Sequence, residues 1–113
     1  MRRASEIAAG ALKVAKEVAR PGTSTQEIDR QAEQFILGFP GAWPAFKGYR
    51  GYQFATCLSV NSEVVHGLPS AKKILKEGDL LSIDVGVKLA GFHGDVAQTV
   101  PVGRISKEKA RLI

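Results

Sequence analysis

Cysteine is almost missing from this sequence: Cys57 stands alone. No disulfide can close within the chain, and neither a disulfide scaffold nor a cysteine-rich zinc site is open to it. Histidine is nearly as scarce, with His66 and His93 only. No apolar run reaches membrane length, and no charged-then-apolar leader is recognisable. These absences together predict a reducing, cytoplasmic setting with no membrane partner. Charge of one sign is not concentrated either. Sixteen Lys and Arg against eleven Asp and Glu leave a net +5, but the excess is scattered without a basic stripe, so nucleic acid is not an expected partner. With 44% hydrophobic and 24% charged residues over 113 positions, the chain is neither disordered nor fibrous, and it has length for one small core rather than two.

What is present falls into two kinds of pattern. Residues 4–19 carry Ile7, Ala11, Val14, Ala15 and Val18 at helical spacing, with Pro21-Gly22 as a stop. A second helix is predicted where Ser24 caps and Glu27 reaches back to complete a capping box, with Ile28, Ala32, Phe35 and Ile36 as its apolar stripe and Gly38 to Gly41 as its end. From Trp43 the sequence becomes aromatic and glycine-rich, WPAFKGYRGYQF, and then β-favouring at 55–60 and 63–66. A KEGD turn at 76–79 leads into strands over 80–89 and 92–102, and Ser106 is placed to cap a final helical turn. The expected fold class is α+β: one unit over residues 1–113, with two helices packed on a mostly antiparallel sheet.

Chemistry concentrates in the last two strands. Asp84 lies inside LLSIDVGV, a run apolar enough to require burial on at least one face, and Asp95 lies in the strand after it. A turn over Leu89-Ala90 puts the two carboxylates directly opposite each other, where like charges repel. A proton on one carboxyl or a cation bridging both relieves that repulsion. A three-residue loop instead sends one aspartate to the other face, and spacing alone leaves these alternatives open. Gly86, Gly91 and Gly94 fit a turn and a close backbone approach around the pair.

His66 and His93 each suit metal ligation or proton handling, although a lone histidine beside an apolar run is more often structural. His93 shares a strand face with Asp95 and is a candidate outer-shell neighbour. Pattern alone puts Trp43 and Phe46 in the core beneath the sheet, whereas Tyr49 and Tyr52, each preceded by glycine, read as loop residues presented to a ligand. Cys57 suits the wall of an apolar pocket.

The segments PAFKGYRGY, CLSVNSEVVHGLP, KEGDLLSIDVGV and GFHGDVAQTVPVG strongly resemble, in order and spacing, the bacterial-type (type I) methionine aminopeptidases. The resemblance implies half of a pita-bread fold and removal of N-terminal methionine from peptides in the cytoplasm. It also implies divalent metal ions, two per complete site (Co, Mn, Fe or Zn). It assigns Asp84 and Asp95 to the metal-bridging aspartates, His66 to a catalytic histidine beside the scissile peptide, and Phe46, Tyr49, Tyr52 and Cys57 to the methionine side-chain pocket. The family's remaining ligands, a histidine and two glutamates, belong to a second half with no match in this chain. The expectation is therefore an incomplete enzyme that exposes an apolar face and is finished by a complementary C-terminal half or by forming a homodimer. A non-catalytic module that binds metal or peptide is the alternative.

Overall fold

The structure is a computed structural model that describes residues 2–48, 53–61 and 69–103. Helix α1 runs Arg2–Val18 and α2 runs Thr25–Leu37. Four strands follow: β1 Ala42–Pro44, β2 Thr56–Val60, β3 Leu80–Leu89 and β4 Phe92–Pro101. The expected α+β class, with two helices ahead of an antiparallel sheet, is what forms. The expected strand at 63–66 and the final helical turn lie outside the described residues.

The buried stripe of α1 is Ala4, Ile7, Ala8, Ala11 and Ala15, so alanine rather than the expected valines does most of the packing; Val14 and Val18 sit at its flanks. Small side chains there let the helix lie close to what it covers. On α2, Ser24 caps as expected, its hydroxyl accepting the Glu27 N–H at 3.1 Å. The second half of the capping box does not form. The Glu27 carboxylate turns to Arg30, taking its Nε–H at 2.7 Å, and to Gln31. A full charge three residues along the same helix face outcompetes a neutral backbone donor.

Strand β3 is the centre of the sheet. One edge pairs with β4 along its whole length, and the other is shared end to end by β1 and β2. Alternation in LLSIDVGVKL turns Leu81, Ile83, Val85 and Val87 toward the helices, where all four are buried. The β1 element was not foreseen; it is three residues long and ends on a proline, too little for a pattern to register.

The turn between β3 and β4 is Ala90-Gly91, both with positive φ, at 51° and 84°. That is the handedness a two-residue hairpin loop needs. The pairing is Leu89 with Phe92 and Asp84 with Ala97, displaced from the register expected for a turn over Leu89-Ala90.

Gly94 explains how α1 sits. A Cβ built there would stand 2.4 Å from the Ser5 nitrogen and 2.7 Å from the Ala4 carbonyl carbon. The first turn of α1 therefore rests backbone against backbone on β4, an approach only glycine permits.

Candidate metal centre and its surroundings

The sheet face away from the helices carries Cys57 and Ser59 from β2, Ser82 and Asp84 from β3, and Asp95, Ala97 and Thr99 from β4. Cys57 pairs with Asp84, and Asp84 with Ala97. Asp95 pairs with Gly86, two residues along β3 from Asp84. The two aspartates are thus diagonal neighbours on one face, not directly opposite as expected. That arrangement sets their backbones roughly 7 Å apart, still within reach of one ion held by both side chains. A two-residue loop keeps them on one face wherever it falls, because moving it by one residue shifts the pairing by two.

Asp84 is half-buried and Asp95 exposed. Burial raises the Asp84 carboxyl above its ordinary range, and the nearby Asp95 charge raises it further. In the metal-free chain Asp84 therefore binds its proton more readily folded than unfolded. That stabilisation is full below the ordinary carboxylate pKa and is lost as pH rises through the folded value. As pH falls from 7 through this window, the melting temperature of the parent should gain on that of Asp84→Asn; parallel profiles would remove Asp84 as the cause.

Next to the pair, the Phe46 ring lies over Gly86, whose built Cβ would meet it at 2.9 Å. Phe46 is therefore on the open face beside the aspartates, not in the core, and Trp43 is 48% exposed on the same face of the sheet. Both corrections follow from β1, which ends at Pro44 and sends the chain across the open face rather than under it. An ion pair between Lys47 and Glu33 of α2 fastens that crossing.

Beyond Asp84 an open depression of about 430 Å³ continues over Cys57, Ser59, Ser82 and Thr99, with the Ser82 and Thr99 hydroxyls 2.9 Å apart. This floor is small and polar. Among the described residues this floor is not a broad apolar face, and the large exposed apolar side chains are Leu37, Trp43, Ile74 and Phe92.

His93 is exposed on the same face, paired with Lys88 and two residues nearer the turn than Asp95. His66, Tyr49 and Tyr52 lie outside the described residues. Among the described residues no group of three or more histidine, cysteine or carboxylate side chains is placed to hold a metal. The two aspartates fit a shared hard cation in their chemistry and common face, but supply fewer oxygens than such an ion takes.

The residues that pattern reading passed over are Thr25 and Asp29, buried polar positions on α2. Their signal was available: a threonine and an aspartate four residues apart, Asp29 directly after Ile28 and beside the apolar stripe.

The family model for metallopeptidase family M24 matches residues 1–113. The chain is 49% identical over its whole length to methionine aminopeptidase 1 of Bacillus subtilis and 50% identical to the methionine aminopeptidase of Clostridium perfringens. It spans 45% of the length of each. The crystal structure of methionine aminopeptidase from Thermotoga maritima superposes with a TM-score of 0.95 at 41% identity, covering all of this chain and 45% of that one. The prolidase of Pyrococcus furiosus, at 27% identity, gives 0.79 over 96% of this chain and 30% of its own. The fold is thus that of the pita-bread peptidases, and the chain belongs to metallopeptidase family M24.

Proposed function

We propose that residues 1–113 are a single unit equivalent to the N-terminal half of a type I methionine aminopeptidase. When completed, it hydrolyses the bond after an N-terminal methionine of peptides in the cytoplasm. The observation that carries this reading is the diagonal Asp84–Asp95 pair on an open face, with Phe46 alongside.

Asp84 and Asp95 are the residues that would hold divalent metal through their carboxylates. Metal bound there would supply charge to polarise a peptide carbonyl and to favour an attacking water. The chain's own contribution is to place and orient. β3 and β4 fix the two carboxylates on one face, and Phe46 with Cys57 offers an apolar and polarizable wall to a thioether side chain. In this reading Tyr49 and Tyr52 extend that wall, His66 orients the substrate, and His93 is an outer neighbour.

Completion requires more polypeptide. A complementary half is favoured over a second copy because the relatives are more than twice as long as this chain, although two copies would also bring four aspartates together. Native mass spectrometry with manganese or cobalt counts chains and ions in one spectrum. Metal uptake is expected in a dimer or when a C-terminal half is added in trans, with cleavage of methionyl peptides by that assembly. No uptake under either condition overturns the proposal.

A further inference from the structure

Asp29, on α2, is 6% exposed and lies on the helix side of the sheet, away from the candidate metal centre. Its Oδ1 accepts the Thr56 backbone N–H at 2.8 Å and the Thr56 hydroxyl at 2.6 Å. Thr56 is the first residue of β2 and wholly buried; the next residue is Cys57, paired with Asp84. One helical turn earlier, Thr25 is 1% exposed and exchanges two hydrogen bonds with Ser70. The Ser70 N–H donates to Thr25 Oγ1 at 2.8 Å, and Thr25 Oγ1 donates to the Ser70 carbonyl at 3.1 Å. The Gln26 N–H reaches the same carbonyl at 3.2 Å.

One edge of α2 therefore grips the chain at two points fourteen residues apart in sequence, at the start of β2 and again at Ser70. Both grips use side chains on backbone groups. This matters because, among the described residues, β2 is paired with β3 alone, and fraying at its first residue would free Cys57 from its place beside Asp84.

We propose that Thr25 and Asp29 form a two-point clasp that fixes the start of β2 and Ser70, making Asp29 a positioning residue that holds Cys57 beside Asp84. The clasp bears on function through the reading above. Its test involves neither metal nor peptide, so either idea can fail without the other. A buried carboxylate is a costly choice for a purely structural tie, since burial raises its pKa against the opposing hydrogen bonds from Thr56. The geometry gains from it a single acceptor that takes both Thr56 donors.

The clasp is read by amide hydrogen exchange and by alkylation of Cys57, the sole cysteine, in the whole chain. Asp29→Ala should speed exchange at Thr56 and iodoacetamide capture of Cys57 by about tenfold or more, the factor carried by a hydrogen bond to a charged acceptor. The comparison is Val100→Ala, a core variant on β4 that touches neither grip, at the temperature that gives both variants equal stability. Asp29→Asn keeps an acceptor for Thr56 and should stay near the parent. Thr25→Val should release the Ser70 amide by a similar factor while leaving Val100 protected, and it serves alone if Asp29→Ala does not fold. Exchange and alkylation no faster than in Val100→Ala, or an unchanged Ser70 amide in Thr25→Val, would overturn the clasp.

Discussion

Replacing Gly94 by alanine should cost about 3 kcal/mol or more, because the added methyl is driven into backbone and no rotamer change can clear it. The contacts are the Ser5 nitrogen at 2.4 Å and the Ser5 Cα at 2.7 Å. The first turn of α1 must lift from β4, and Ala4, Ile7 and Ala8 lift with it out of the buried stripe. For a chain of this size the loss is a fall of roughly 12–24 °C in melting temperature. Gly10 is the informative comparison. Its built Cβ also comes too close, at 2.6 Å, but to the far end of the Phe35 ring, which can swing aside, so Gly10→Ala should cost less. Thermal unfolding of both variants decides the matter: equal losses would mean that helix and strand separate as easily as a ring rotates.

Asp84→Asn should act in opposite directions with and without metal. With manganese or cobalt present and the second half supplied, affinity should fall by more than about 100-fold, since losing even an outer-shell partner of a metal ligand costs 10–100-fold. Without metal, the same change removes a partly desolvated charge and its repulsion from Asp95. A gain of a few tenths of a kcal/mol is expected once solvent screening is counted. Titration calorimetry and thermal unfolding of the same preparations read both arms. Undiminished uptake by the asparagine variant would remove Asp84 from the ligand set, and a less stable metal-free variant would mean that Asp84 holds a hydrogen bond worth more than its repulsion costs.

Most of the fold was legible because its elements are periodic. The two helices announce themselves by spacing and by Ser24, and β3 by its alternation up to Gly86, which lies on the open face and is buried there beneath the Phe46 ring. The expected hairpin register differs by one position of the turn, since Leu89-Ala90 and Ala90-Gly91 offer equally short loops and the positive φ at Gly91, absent at Leu89, tells them apart. The consequence that mattered, both aspartates on one face, survived that error by parity. Pattern points Phe46 and Trp43 to the core because an aromatic cluster carries no direction; a strand too short for a pattern to register, Ala42–Pro44, supplies it. Asp29 escaped notice for the opposite reason. A carboxylate beside an apolar stripe reads as a boundary position until the Thr56 donors, 27 residues away in sequence, are set against it.

The central place of β3 has a last consequence, in stiffness. Asp84 rides on a strand bonded along both edges, whereas Asp95 rides on β4, bonded among the described residues to β3 alone. In the proposed centre the two carboxylates would therefore stand on supports of unequal compliance, Asp84 on the strand braced from both sides and Asp95 on the one with the freer edge. A cation held there would be accommodated by movement of β4 rather than of β3.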